Sequence, residues 1–118
     1  MMKRTAGDVI STMVAMFSTG DVSDVADLVS AAYVDHQGLH DGPKFGPDGF
    51  AAVVSAARHG YASLTLSVED LIVDADRAVA RIMWHGERHD GELIERETID
   101  IVRVVEGRAV EHWGARAR

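Results

Sequence analysis

Two ionisable side chains near the C-terminus, Asp100 and His112, could carry acid–base chemistry. Asp100 lies between Ile99 and Ile101 in a run rich in Val and Ile, and His112 directly precedes Trp113 in the next such run. A carboxylate inside a predicted strand must either face water or lose its hydration, and a desolvated carboxyl group is harder to ionise. Such a group suits general acid–base catalysis near neutral pH. The alternative is an aspartate on the solvated face of the strand, or one paired with a neighbouring arginine.

The histidines raise the separate question of a metal site. None of the six occurs at an HxH or HExxH spacing on one predicted element. His85 and His89 flank a predicted turn, and exposure of their side chains to solvent is a simpler explanation for them than metal binding. With no cysteine in the chain, thiolate catalysis, disulfides and Cys-ligated metals are excluded, and we predict no metal. The complete set is His36, His40, His59, His85, His89 and His112.

Three long strands are predicted to position these candidates. They cover residues 77–88, 93–105 and 108–113, and turns at Asp90-Gly91 and Glu106-Gly107 separate them. A glycine that accepts positive φ between β-rich runs is typical of hairpins. Ionisable residues interrupt the apolar pattern of all three strands, which suggests a sheet that encloses a polar pocket.

Helical periodicity precedes the strands. Apolar residues at i, i+3 and i+4 predict helices over residues 5–18, around 22–29 and over 47–58. Residues 37–49 contain four glycines and both prolines of the chain, which predicts a long loop at the mouth of a site. After residue 61 the apolar period becomes two, which predicts a first, half-buried strand.

This order of elements predicts an α+β fold. Helices followed by four antiparallel strands favour N-terminal helices packed on one face of a strongly curved, mainly antiparallel sheet, which forms a cone with an internal pocket. Residues 1–118 contain no repeat or domain-scale linker, so we predict one domain. Alternation sends only one residue of each pair, Trp84 or His85 and His112 or Trp113, into that pocket, and the pattern does not say which.

Charge and hydropathy exclude two classes of partner. The net charge of −7 argues against nucleic acid, whose phosphates require a basic surface. No apolar run approaches the roughly 20 residues needed to span a bilayer. We therefore expect a cytoplasmic protein whose partner is a small molecule.

The ordered set of motifs resembles a known family. Its members are the SnoaL-like proteins of the nuclear-transport-factor-two-like superfamily, whose α+β cone is shared with ketosteroid isomerase and scytalone dehydratase. The resemblance spans nearly the whole chain and is carried by Tyr33-Val34-Asp35-His36, Gly46-Pro47-Asp48-Gly49-Phe50, the strand 81–85, residues 86–92, Ile99-Asp100-Ile101-Val102-Arg103 and Glu106-Gly107-Arg108 with Glu111-His112-Trp113.

The resemblance implies a cofactor-free tailoring enzyme of aromatic polyketides, a cyclase that uses aldol chemistry or a hydroxylase. In the cyclases a carboxylate shortly after the final-strand Trp acts as acid/base, whereas residues 114–118 here contain none. Asp100 is then the best candidate acid/base, with His112 as its neighbour across the hairpin. The substrate-binding residues that we predict are Tyr33, His36, Phe45, Phe50, Arg81, Trp84 and Trp113.

Other functions stay open on the sequence. The same cone could serve as a non-catalytic small-molecule-binding or association module, or as a small isomerase or epoxide hydrolase. The resemblance also implies assembly through the open face of the sheet, as a homodimer or homotetramer.

Overall fold

A computed structural model describes residues 3–39 and 41–117 of the chain, so His40 lies outside the described residues. Three helices and six strands make up this part. The helices are α1 (Ala6–Thr19), α2 (Val25–Leu28) and α3 (Gly46–His59). The strands are β1 (Val29–Leu39), β2 (Gly42–Phe45), β3 (Ser63–Asp74), β4 (Arg77–Glu87), β5 (Leu93–Val105) and β6 (Arg108–Arg116).

Helix α1 has well-defined ends because both are capped. The Thr5 hydroxyl accepts a hydrogen bond from the backbone N–H of Asp8, and the Asp8 carboxylate accepts one from the N–H of Thr5. This capping box satisfies backbone donors that a helix N-terminus leaves free. Gly20 ends the helix in the left-handed conformation, φ 75°, which suits a residue without a Cβ atom. The apolar side of α1 packs on the sheet through Val9, Ile10, Met13 and Val14.

The six strands form one sheet in the order β2-β1-β6-β5-β4-β3. All neighbouring strands are antiparallel except β1 and β6, which pair in parallel. Since β2 and β3 lie at opposite edges, the sheet does not close into a barrel. The parallel pairing sets Asp35 of β1 beside His112 of β6, and this contact joins segments far apart in sequence.

The sheet has an inner face toward the helices and an outer face. Along β4 and β5 the even-numbered residues point inward, and Ala78, Ala80, Ile82 and Val102 are buried there. Thr98, Asp100 and Val102 share the inner face, as their alternation predicts. The odd-numbered neighbours lie on the outer face and are more exposed.

Two predictions about the N-terminal half differ from the structure, one in extent and one in kind. The second helix is present but covers only one short turn, because Val29 already begins β1. Residues 37–49 are not a long loop: β1 continues to Leu39, β2 covers Gly42–Phe45 and α3 starts at Gly46. Gly38 and Gly42 both have positive φ within this irregular β1–β2 hairpin, so glycine marks a tight reversal here instead of a loop. The sheet therefore has six strands instead of four.

The predicted fold class is confirmed. The helices come first and cover one face of a mainly antiparallel sheet, with a cavity between the two layers. None of the helices in the described part of the chain is long and apolar enough to cross a membrane.

Candidate active site

A cavity of about 450 Å³ lies between the inner face of the sheet and helices α1 and α3. Its wall is mainly apolar, as in most small-molecule sites. Three aromatic rings form part of it, with Phe17 edge-on to both Phe50 and Trp84 at centroid distances of 5.7 and 5.3 Å. Aliphatic side chains from α1 and the sheet complete the wall: Ile10, Met13, Val14, Leu66, Ile82 and Val102.

A hydrogen-bonded chain of Asp35, His112 and Asp100 forms the polar end of this cavity. His112 Nδ1 lies 2.8 Å from Asp35 Oδ1, and His112 Nε2 lies 2.8 Å from Asp100 Oδ1. The imidazole is thus held between two carboxylates that come from β1 and β5. Asp35 is only 2% exposed and also accepts hydrogen bonds from the backbone N–H groups of Gln37 and Gly38.

The charges on the hydrogen-bonded side chains Asp35, His112 and Asp100 stabilise one another. Burial opposes protonation of His112, but its hydrogen bonds to Asp100 and Asp35 outweigh that effect and raise the pKa of the imidazole to about 9. Burial also opposes ionisation of Asp35, yet the hydrogen bonds from His112 and the backbone lower its pKa. At neutral pH the ring is therefore an imidazolium that donates to a carboxylate at each nitrogen.

Two more side chains extend the polar end toward the aromatic wall. The Thr98 hydroxyl donates to Asp100 Oδ2 at 2.7 Å and accepts from the Trp84 indole N–H at 3.0 Å. Both oxygens of Asp100 are thus fixed, by His112 and by Thr98. Because charge-assisted hydrogen bonds are strong and directional, Asp100 has a defined orientation toward the cavity.

A glycine allows strands β1, β5 and β6 to bring these groups together. Gly114 is paired with Asp100 across β5 and β6. A Cβ atom at Gly114 would lie 2.5 Å from Gln37 Oε1 and 2.6 Å from Asp100 Oδ1. The space above Gly114 is therefore occupied by the Gln37 amide and the Asp100 carboxylate, which places these two side chains together in the cavity.

The structure brings four of the predicted site residues to the cavity and keeps five away from its wall. Asp100, His112, Phe50 and Trp84 line it. Tyr33 is buried in the core against Phe50, and burial, followed by the nearby charges of Asp35 and Asp100, raises the pKa of its phenol.

The other four predicted residues lie outside the cavity. His36 and Trp113 stack on each other on the outer face, with ring centroids 5.0 Å apart. Arg81 pairs on the same face with Asp70 and Glu97. Phe45 is exposed on the edge strand β2. These positions give no support to substrate contacts by His36, Phe45, Arg81 or Trp113.

Sequence reasoning did not assign four polar residues that line the cavity, Asp35, Gln37, Arg96 and Thr98. Asp35 and Gln37 belong to β1, which the sequence did not reveal as a strand. Arg96 could have been found, since it lies two and four residues before Thr98 and Asp100 in β5 and alternation places all three on the same face.

The polar end does not form a ligand set for a metal ion. The two carboxylates approach opposite nitrogens of the His112 ring, so the three side chains do not converge on one point. Across residues 3–39 and 41–117, no group of three or more His, Asp or Glu side chains is arranged to hold a metal.

Comparisons with known proteins agree with this architecture. The family model for the SnoaL-like polyketide cyclases matches residues 7–116. Aklanonic acid methyl ester cyclase DnrD of Streptomyces peucetius is 26% identical, over 89% of this chain and 79% of the relative. The enzyme of the same name from Streptomyces sp. strain C5, DauD, is also 26% identical, over 89% of this chain and 71% of the relative.

Solved structures show the same fold at low identity. IdmH of Streptomyces antibioticus, a proposed polyketide cyclase, superposes with a TM-score of 0.81 at 23% identity, covering 93% of this chain and 90% of that one. AclR of Streptomyces galilaeus, a proposed hydroxylase, gives a TM-score of 0.74 at 20% identity over 92% and 75% of the two chains. Since the family model matches residues 7–116, which is almost the whole chain, this chain belongs to the SnoaL-like polyketide cyclase family.

Proposed function

We propose that this protein is a cofactor-free tailoring enzyme that closes a ring of an aromatic polyketide by an intramolecular aldol reaction. The observation that carries the proposal is the Asp100 carboxylate, fixed by His112 and Thr98 at the polar end of an otherwise apolar cavity. The two cyclases of aklanonic acid methyl ester among its relatives support the reaction class.

Asp100 is the proposed acid/base. It removes a proton from a carbon next to a carbonyl group, and the electrons of that C–H bond form an enolate. The enolate carbon attacks a second carbonyl of the same molecule, forming the new C–C bond, and the resulting alkoxide takes the proton back from Asp100. No oxidant or reductant is consumed. Each Asp100 oxygen accepts one hydrogen bond in the resting site and has a further lone pair for the substrate proton.

His112 holds Asp100 in position. Since its pKa is about 9, the imidazole is already protonated at neutral pH and cannot serve there as the base. Its Nε2–H···Oδ1 hydrogen bond orients Asp100 before proton removal, while Asp35 balances the charge of the imidazolium. The Gln37 amide lies beside Asp100 at Gly114, with Oε1 nearest to the glycine, and we assign its NH₂ group to the enolate oxygen as a hydrogen-bond donor of the oxyanion-hole type.

The cavity wall suits a flat apolar substrate. Phe17, Phe50 and Trp84 line the same cavity as Asp100. Offset and edge-to-face contacts between aromatic groups add to the free energy gained by burying them. A polycyclic ligand would therefore be held by the wall and oriented by the polar end.

The test is the substitution Asp100→Asn, which preserves shape and removes the base. The purified protein is incubated with linear aromatic polyketide intermediates and the products are analysed by mass spectrometry coupled to chromatography. We expect a product of unchanged mass and altered retention, formed at least about 100-fold more slowly by the variant. Asp70→Asn, which removes an exposed carboxylate paired with Arg81 on the outer face, is the matched control and should keep full activity.

Three outcomes would contradict the proposal. Full turnover by Asp100→Asn would remove Asp100 from the chemistry. A product heavier by one oxygen atom would identify a hydroxylase instead of a cyclase. Substrate that binds to the wild-type protein and is recovered unchanged would favour the non-catalytic binding module.

A further inference from the structure

Arg96 introduces a positive charge into the cavity wall at a distance from the acid/base. It lies on the inner face of β5, paired in register with Trp84 of β4, and it lines the cavity. Its Nη2 group donates to the Tyr61 hydroxyl at 3.2 Å. Tyr61 is itself fixed, because its ring packs so closely over Gly86 that a Cβ atom there would lie 2.6 Å from the ring.

The guanidinium of Arg96 has hydrogen-bond donors that the Tyr61 contact does not use. Its Nε–H is buried and has no hydrogen-bond partner among the described residues. Buried donors are nearly always paired, so the unpaired Nε–H calls for an explanation. Tyr61 uses only one of the five N–H groups that a guanidinium carries.

The acidic groups of the cavity do not neutralise this charge. Asp35 and Asp100 are the carboxylates among the residues that line it, and both are bound to His112. The outward-facing carboxylates next to Arg96 in β5 belong to other pairs, Glu95 with His85 and Glu97 with Arg81. A guanidinium that lines an apolar cavity and uses only one of its N–H groups can bind a carboxylate through the others.

We propose that Arg96 forms a carboxylate-binding subsite, so that the cavity selects a substrate carrying a free carboxylic acid, in contrast to the methyl ester for which the two cyclase relatives are named. Arg96 and Asp100 are four residues apart on one strand, which separates their Cα atoms by roughly 13 Å. The substrate would extend along β5, with its carboxylate on Arg96, its rings against Trp84 and its reacting carbon at Asp100. The inference deepens the proposed function, since it takes the same cavity as the substrate site.

The test compares two probes with the same rings, 2-naphthoic acid and methyl 2-naphthoate, by isothermal titration calorimetry at pH 7. We expect the wild-type protein to bind the acid at least tenfold more tightly than the ester. 2-Naphthol, which offers a hydroxyl group without the carboxylate, should bind no more tightly than the ester. An acid that binds no better than the ester or the naphthol, or that does not bind at millimolar concentration, would overturn the proposal.

Variants test whether the preference for the acid over the ester comes from Arg96. Arg96→Gln should reduce the affinity for the acid to that for the ester and leave the ester unchanged, whereas Arg96→Lys should keep part of the preference. Tyr61→Phe, which removes the hydrogen bond that orients the guanidinium, should weaken acid binding by a few fold. Arg108→Gln makes the same change of net charge outside the cavity and should have no effect. An equal loss of acid and ester binding in Arg96→Gln would mean a packing role and would contradict the subsite.

The binding test is independent of turnover. Asp100→Asn should keep the preference for the acid because it leaves Arg96 in place. If that variant retained full turnover, the aldol mechanism would fail while the carboxylate subsite could still stand. If acid and ester bound equally, the subsite would fail while Asp100 could still be the base.

Discussion

At the scale of single residues, His112 makes the stability of the protein depend on pH. The pKa of the folded protein's imidazole, about 9, lies above its ordinary value of 6.5. A group whose pKa is raised by folding stabilises the native state fully below its unfolded pKa, and this contribution disappears as the pH rises through the folded value. We therefore expect the free energy of unfolding to fall between pH 6.5 and 9, by up to about 3 kcal/mol.

Urea unfolding of the wild type and of His112→Gln at pH 6, 7.5 and 9.5 measures this contribution. The variant leaves two carboxylates, Asp35 and Asp100, close together without a cation between them. It should be least stable relative to the wild type at pH 6, and the difference should shrink by pH 9.5. His89→Gln, at an exposed position, serves as the control and should follow the wild type. A wild-type pH slope that persists in His112→Gln would show that another group is responsible.

At the scale of elements, the close approach of β1, β5 and β6 depends on Gly114. In Gly114→Ala the new methyl group would meet both Gln37 Oε1 and Asp100 Oδ1. Gln37 is long enough to move aside, whereas Asp100 is short and already fixed by His112 and Thr98. We expect turnover to fall strongly and the free energy of unfolding to decrease by about 1–3 kcal/mol, the usual effect of overpacking.

The matched control for this substitution is Gly60→Ala. Gly60 has a negative φ of −75°, and the nearest atom to an added Cβ, Ala57 O, is at 3.7 Å, an ordinary contact. This variant should keep both its urea midpoint and its activity. If Gly114→Ala kept its urea midpoint and its activity as Gly60→Ala does, the close approach over Gly114 would matter neither for stability nor for turnover.

The same elements show how far the sequence could predict the site. Alternation along β5 is a local pattern, so it is enough to place Thr98, Asp100 and Val102 on one face. The sequence could not reveal the partner of His112 on β1, because Asp35 and His112 are 77 residues apart and meet only through the parallel pairing of β1 and β6. Glycines and prolines in residues 37–49 look like a loop because the β1–β2 hairpin is short and irregular.

The faces of β6 could not be predicted for a related reason. His112 and Trp113 must point to opposite sides of the sheet, but both residue types suit a pocket wall as well as a packed surface. Only the neighbours across the strands decide: Asp100 and Asp35 hold His112 inward, while His36 stacks on Trp113 outside. Local pattern thus predicts which residues share a face, and tertiary contacts determine which face is the site.

At the scale of the whole molecule, the outer face of the sheet carries an apolar row. Ile72, Val79, Ile101 and Trp113 are paired in register across β3, β4, β5 and β6. Ile72 is 65% exposed, and Ile99 beside the row is 37% exposed. The ion pairs of Arg81 with Asp70 and Glu97 lie at its border. An apolar centre with a polar rim is the usual composition of a protein interface.

We therefore predict that the protein assembles through this row as a homodimer or homotetramer. Sedimentation velocity of the wild type should show two or four times the mass of one chain, whereas the double substitution Ile72→Asp and Ile101→Asp should give monomers, because paired carboxylates would be buried without partners. Phe45→Asp also places a carboxylate at an exposed apolar residue, but on the edge strand β2, and it should not change the mass. A monomeric wild type, or a double variant that still assembles, would rule out this face as the interface. Since the cavity opens on the other side of the sheet, the monomeric variant should still bind ligands, and this separates assembly from the chemistry of the site.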